Sequence, residues 1–319
     1  MYRIGIDLGG TNTAAGLVDE YGQIVCRESV KTNLPTDLDR IVEDITGLCR
    51  TLMANCGLEN GDIRSVGVGV PCTGNKQTGW MEDAHHLGFP GGPLVDRLKA
   101  RLQLPVFIDN DANCAAWGEY KAGAYREDSF VLVTLGTGIG CGIILGGRLI
   151  TGINNAAGEV GHMVIRAGGE SCGCGRRGCF ARYGSATALA HRASLLTGEQ
   201  IPEAKIAFER AAAGEAAFAQ LLDEYTTDLA EGLANIINLL GPAYVCLGGG
   251  VSHAGAQLLE PVREKTYARM LAQDAARKPQ IILARLHNDA GILGAVGEAV
   301  AHALQIAAQA LGVGLVLLA

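Results

Sequence analysis

Several things are scarce in this sequence, and each scarcity excludes something. Aromatic residues make up 5% of the 319 residues, and Lys plus Arg number 26 against 33 Asp plus Glu, a formal net charge of -7 with no basic tract. Nucleic-acid binding relies on clustered cations that neutralise phosphates, so no nucleic-acid partner is expected. The opening MYRIGIDLGG lacks the basic and apolar regions of a secretion signal, and the C-terminal LGVGLVLLA is nine residues, too short to cross a bilayer. A cytoplasmic protein is therefore expected, with its 10 cysteines reduced rather than paired in a disulfide framework. A Walker A lysine is missing too: no glycine turn is followed by Gly-Lys-Ser/Thr.

Glycine, by contrast, is abundant at 45 residues, which implies many tight turns and close backbone approaches. Hydrophobic residues reach 48%, enough for a large core, and the length suggests about two domains. Six cysteines (Cys26, Cys49, Cys56, Cys114, Cys141 and Cys246) sit in apolar surroundings and are expected to pack as small hydrophobes. The other notable group is GHMVIRAGGESCGCGRRGCF at 161–180, with His162, Cys172, Cys174 and Cys179. Three soft thiolates and one imidazole suit a closed, tetrahedral, structural zinc site. The alternative is a loop with incidental cysteines. Such a metal would pin the segment that presents Glu159.

Periodicity gives the organisation. YRIGIDL (2–8) reads as a strand, GGTNT turns the chain, and AAGLVDEYGQIVCRESV continues as strands. LDRIVEDITGLCRTLMANCG is an amphipathic helix. SVGVGVP is a buried strand, 72–92 an irregular glycine-rich loop, PLVDRLKARLQ a helix and PVFIDND a strand. ANCAAWGEYKAGA is a helix starting directly after Asp111. FVLVTLGTGIGCGIILGGRLI then repeats the opening strand–turn–strand pattern, DLGGTNT being echoed by TLGTGIG. Alanine-rich helices follow from about 186 to 240, then the strand YVCLGGGVS and a long terminal helix NDAGILGAVGEAVAHALQIAAQAL. The echo implies a duplicated two-domain α/β architecture with a cleft between halves.

The second glycine turn is no dinucleotide fingerprint, because IILGGRLI after it is strand-like where a helix is required. Two matched turns can instead cradle phosphates with backbone amides, unless they are ordinary hairpin turns. Asp7 before the first turn can hold Mg2+ directly or through water, and Thr11, Asn12 and Thr137 can donate hydrogen bonds to phosphate oxygens. Asp111 begins a helix, where the dipole favours its ionised form; a plain helix cap is the other use of an acid at that place.

DLGGTNT, NDAN (110–113), LGTGIG (135–140), EVGH (159–162), CGCGRRGC (172–179), GGGVS (248–252) and NDAGILGA (288–295) together resemble the ROK sugar kinases over nearly the whole chain. The resemblance implies an actin/hexokinase-like ATPase fold, often a homodimer. We expect residues 1–113 plus 300–319 to form a small N-terminal domain, and 114–299 a larger one carrying the zinc segment. The implied activity is ATP-dependent phosphorylation of a hexose, most often glucose. The alternatives are another hexose or N-acetylhexosamine (N-acetylmannosamine, fructose, allose), or a catalytically weakened sugar-binding member. By motif, Asp111 matches the catalytic base, Asn110 a sugar-hydroxyl ligand, and Glu159 and His162 sugar contacts. Asp7, Gly9, Gly10, Thr11 and Asn12 fall on the first phosphate loop, Thr137 and Gly138 on the second, and Gly248, Gly249 and Gly250 on the adenosine-side loop.

The pattern breaks at three places. The family's Glu two residues after the last zinc-site Cys is Ala181 here, its Pro-Gly is Pro71-Cys72, and its Asn-Leu-Gly is His86-Leu87-Gly88, preceded by His85. These departures bear on which sugar is used more than on the reaction. Repressors of the same family carry a helix-turn-helix segment first, for which the turn at residue 9 leaves no room, so a repressor is not expected.

Overall fold

The computed structural model describes residues 1–310 other than 124, 126, 272, 273 and 275–277. The apolar C-terminal run lies outside the described residues. In chain order the elements are β1 (Tyr2–Leu8), β2 (Asn12–Val18), β3 (Ile24–Lys31), α1 (Leu38–Asn55), β4 (Ile63–Val70), β5 (Thr73–Asn75), β6 (Trp80–Glu82), β7 (Gly91–Gly92) and α2 (Leu94–Leu102). Then come β8 (Val106–Asn110), α3 (Asp111–Ala122), β9 (Phe130–Leu135), β10 (Ile139–Leu145), β11 (Arg148–Leu149), α4 (Ala181–Gly184) and α5 (Ala186–Thr197). The chain continues with α6 (Lys205–Ala212), α7 (Ala216–Leu240), β12 (Tyr244–Gly248), α8 (Ala256–Arg269), β13 (Gln280–Leu283) and α9 (Asp289–Ala310).

Two compact units divide these elements: Met1–Tyr125 with Leu149–Ala157 and Asn288–Ala319, and Arg126–Arg148 with Gly158–His287. The expected seams at 113 and 300 would each cut a helix. The observed ones keep α3 whole and assign α9 to the first unit from its start.

In the first unit a five-stranded sheet runs in the order β3-β2-β1-β4-β8. The strands β1, β2 and β3 are antiparallel neighbours, while β1, β4 and β8 run parallel. Alternation sorts the faces. Ile4, Ile6, Leu8, Val66, Val68 and Val70 join one core with Ile41, Ile45 and Leu52 of α1 and Leu94 and Leu98 of α2. The intervening Gly5 and Gly67 face α9, where an added Cβ would lie 2.1 Å from the Ile292 carbonyl oxygen and 2.0 Å from that of Ala295. The Gly-alternating IGID and VGVGV runs thus let a helix lie directly on the sheet backbone.

The second unit repeats the scheme. Its sheet runs β11-β10-β9-β12-β13, with β9 and β10 an antiparallel hairpin and β9, β12 and β13 parallel. Its core includes Phe130, Leu132, Tyr225, Leu229 and Leu233, all buried. The echo between DLGGTNT and TLGTGIG is therefore a duplicated strand order. Residues 72–92 are not an irregular loop: β5, β6 and β7 form a three-stranded sheet, with a helical turn at Ala84–Leu87 between β6 and β7. No helix among the described residues is long and apolar enough to cross a membrane.

Candidate active site

The first glycine turn joins β1 to β2, closed by Gly9 N–H donating to the Asn12 carbonyl at 3.0 Å. Gly10, Thr11 and Asn12 are exposed at its tip, so their polar groups are open to a ligand. Asp7 sits one register step earlier. Burial pushes its carboxyl up to about 6 from an ordinary value of 3.8. Gly291 of α9 makes the room, since a Cβ there would lie 2.7 Å from Asp7 Oδ2. A buried carboxylate whose charge is disfavoured by desolvation is well matched to a cation.

Asp7 pairs across the sheet with Gly69, which pairs with Asp109. Two strand spacings put the β1 and β8 ends about 10 Å apart, both at the carboxyl edge of the parallel strands, where ligands bind in such folds. At the end of β8 the chain enters α3. Asn110, not Asp111, is the helix cap: its Oδ1 accepts from Ala112 N–H at 2.9 Å and Asn113 N–H at 3.1 Å. Asp111 is the first helical residue, half-buried, with Oδ1 accepting from Ala112 N–H at 2.7 Å. Asn110 Nδ2 also donates to the Cys72 carbonyl at 3.2 Å. Burial, then Asp111 and Asp83, push the Cys72 thiol up to about 12, so Cys72 and Asp111 share one neighbourhood. Cys72 is an unionised thiol there, not a nucleophile. His85 and His86 are exposed, and partial desolvation of the His86 ring, then the neighbouring His85, hold His86 below the usual imidazole value.

In the second unit the turn between β9 and β10 is closed by Gly136 N–H donating to the Gly138 carbonyl at 3.1 Å, with Thr137 and Gly138 exposed. Gly248 pairs with Thr134 in the neighbouring strand, which places GGG 248–250 beside this turn. Two glycine segments far apart in sequence thus form one backbone-lined surface, with Gly249 and Gly250 exposed.

Glu159 is exposed, immediately before a helical turn at Val160–His162 that packs on β10. His162, Cys172, Cys174 and Cys179 converge: their ligand atoms all lie within 4.8 Å of one another. His162 Nδ1 is 3.6 Å from Cys172 Sγ, and Cys174 Sγ is 3.6 Å from Cys179 Sγ. Tetrahedral zinc with its usual bond lengths needs such edges of about 3.5–3.8 Å. The Arg176 backbone N–H is the largest of the influences that lower the Cys174 thiol to about 7. Phe180, fully buried, anchors the segment through its N–H to the Met163 carbonyl at 2.7 Å. Ala181 follows at the start of α4, half-buried.

Among the six scattered cysteines, Cys49, Cys114, Cys141 and Cys246 are buried as expected and Cys26 is half-buried, but Cys56 is exposed at the end of α1. Sequence reasoning missed Asp109 and Lys76, an ion pair behind the α3 cap; the IDND run marked the aspartate, but nothing local marked the lysine.

These two units, with paired glycine turns at sheet edges and a carboxylate at a helix start, are those of an ATP-dependent sugar kinase with a hexokinase-like fold. The chain belongs to the ROK family, whose model matches residues 3–301. It is 34% identical to a glucokinase of Halalkalibacterium halodurans, over 92% of this chain and 93% of that one. It is 33% identical to an N-acetylmannosamine kinase of Escherichia coli, over 92% and 97%. The crystal structure of a ROK family glucokinase from Streptomyces griseus in complex with glucose and AMPPNP superposes with a TM-score of 0.82 at 33% identity, covering 94% of this chain and all of that one.

Proposed function

We propose that the protein transfers the γ-phosphate of ATP to a hexose hydroxyl, with glucose giving glucose 6-phosphate as the leading reaction. The observation that carries this reading is the α3 start, where the Asn110 cap holds Asp111 at the carboxyl edge of the β1–β4–β8 strands beside the first glycine turn. Asp111 accepts the proton of the attacking hydroxyl and orients it in line with the phosphate. Glu159 and His162 contact the sugar. The Asn110 amide is engaged in the cap and with Cys72, and a remaining N–H of Nδ2 serves a sugar hydroxyl. Gly10, Thr11, Asn12, Thr137 and Gly138 hold phosphates through main-chain and side-chain donors, Gly9 shapes the first turn with its N–H committed to the Asn12 carbonyl, and Gly248–Gly250 lie on the adenosine side.

Magnesium, when bound, neutralises charge on the transferring phosphate, and Asp7 holds it directly or through water. Zinc at His162, Cys172, Cys174 and Cys179 fixes the Glu159 segment and leaves no open position for chemistry. A homodimer in the cytoplasm, with no nucleic-acid or membrane partner, completes the proposal.

Turnover compared across glucose, mannose, fructose, allose and N-acetylmannosamine, read as ADP release, tests the substrate. The expected order has glucose first; N-acetylmannosamine first would favour the second reading, to which Ala181 lends weight. Ala181 offers no side-chain acceptor where the family places a sugar-binding Glu. Restoring a charged acceptor is worth about 1.5–3 kcal/mol. Ala181→Glu is therefore expected to lower the KM for the preferred sugar by about ten- to a hundredfold, measured by steady-state kinetics; an unchanged KM would place residue 181 outside the sugar pocket.

The Asp7 carboxyl gives a pH prediction. Its folded value, about 6, lies above its ordinary 3.8. Between those values the folded protein keeps a proton that the unfolded chain has released, so stability falls as pH rises through this window and stays lower above it. Asp7→Asn escapes that loss. In metal-free buffer it is expected to be more stable than wild type above pH 6, by about 3 kcal/mol at most, with the gap closing below pH 4. Thermal melts across pH check this, and parallel curves at all pH would contradict it. The same variant loses the group that holds magnesium.

A further inference from the structure

Behind the helix start that presents Asp111 lies a buried ion pair. Asp109 is 2% exposed. Its Oδ1 accepts from the Asn110 backbone N–H at 2.7 Å and from Asn113 Nδ2 at 3.1 Å. Asn110 in turn caps α3 through Ala112 and Asn113. One carboxylate oxygen therefore ties down the residues on either side of Asp111. The other, Oδ2, faces Lys76 Nζ at 2.6 Å. Val68, Phe107, Cys114 and Ala295 wall the pair, and the Lys76 side chain is only 19% exposed. Lys76 comes from the turn between β5 and β6, shaped by Asn75 Oδ1 accepting from the N–H groups of Gln77 and Thr78.

An anion in such apolar surroundings is tolerated only with its counter-ion in place. Without Lys76, the Asp109 carboxylate must draw in water, rotate toward solvent or take up a proton. Each response weakens its hold on Asn110 and Asn113, and so on the backbone that aims Asp111. We propose that Lys76 is a positioning residue: by neutralising Asp109 it locks the Asn110–Asp111 turn in the geometry that phosphoryl transfer uses. The inference rests on the assignment of Asp111 as the base. It also gives the β5–β6 turn a task in the reaction, by joining it to the α3 start.

The test is steady-state kinetics of the full-length protein with Mg-ATP and its preferred hexose, well below the melting midpoint, with melts in parallel. Because small displacements of reacting groups cost about a hundredfold, Lys76→Met is expected to lower kcat by about ten- to a hundredfold with the KM for ATP within about twofold of wild type. Lys76→Arg, which keeps the cation, is expected to recover most of the loss. Wild-type kcat in a Lys76→Met protein that merely melts earlier would overturn the inference, because the pair would then serve stability alone. Asp111→Asn is run beside it. Full turnover there removes the base assignment and this inference with it, whereas loss there with full turnover in Lys76→Met overturns this inference only. If Lys76→Met does not fold, Asp109→Asn carries the test: it keeps an acceptor oxygen but no charge to pin. A kcat loss of about three- to tenfold at unchanged ATP KM supports the proposal, and full kcat overturns it.

Discussion

Asp111→Asn is expected to lower kcat by about 100- to 10,000-fold while leaving sugar and nucleotide binding nearly intact. The substitution keeps the shape of the side chain and an acceptor oxygen for the Ala112 N–H, which Asp111 Oδ1 engages at 2.7 Å. Because Asn110 rather than Asp111 caps α3, the helix start does not depend on the lost charge. What disappears is the group proposed to take the hydroxyl proton. Phosphoryl transfer through a loose transition state tolerates a weak base, since the proton moves late and positioning dominates. Rapid-quench or coupled assays measure the fall, and calorimetry with sugar measures the retained binding. A variant that loses binding together with turnover would place Asp111 in a structural role.

The second large expected effect concerns the proposed zinc at the Cys3His cluster. The protein is expected to contain about one zinc per chain, and Cys179→Ser is expected to abolish it. Structural zinc contributes folding free energy directly, about 10–16 kcal/mol in small isolated zinc modules. Here the consequence is local. Phe180 is buried beside the cluster, and Arg166 is ion-paired to Asp228 of α7. Those anchors hold the second unit's core without the ion. The stretch from Glu159 to Cys174 has no comparable core of its own, being mostly half-buried or exposed. The metal-free protein is therefore expected to raise the sugar KM by about 10–100-fold, with nucleotide binding preserved. Elemental analysis, sugar titration and nucleotide titration of the same samples read this out. A metal-free protein with native sugar affinity would contradict it.

Much of this was legible in the sequence because the informative signals are local. Hairpins around DLGGTNT and TLGTGIG, and amphipathic periodicity in α1, depend on near neighbours, and the structure has them where the pattern places them. The cysteine spacing likewise anticipated convergence of four ligand atoms. Three features were hidden. Strands of two or three residues in 72–92 are too short to show a period, so a small sheet read as loop. Asn110 and Asp111 are equally good capping types, and only the backbone geometry separates cap from first helical residue. The Gly-alternating strands read as buried, but what covers Gly5 and Gly67 is a helix from the far end of the chain. Lys76 illustrates the same limit, since the IDND run marks Asp109 but a long-range ion pair leaves no mark on the local pattern around the lysine.

The most direct measurement is transfer from ATP labelled in the γ-phosphate, followed by chromatography of the sugar products. The account predicts label in glucose 6-phosphate, dependent on Mg2+ and absent with Asp111→Asn. Glucose binding by calorimetry without labelled product from any hexose would contradict it.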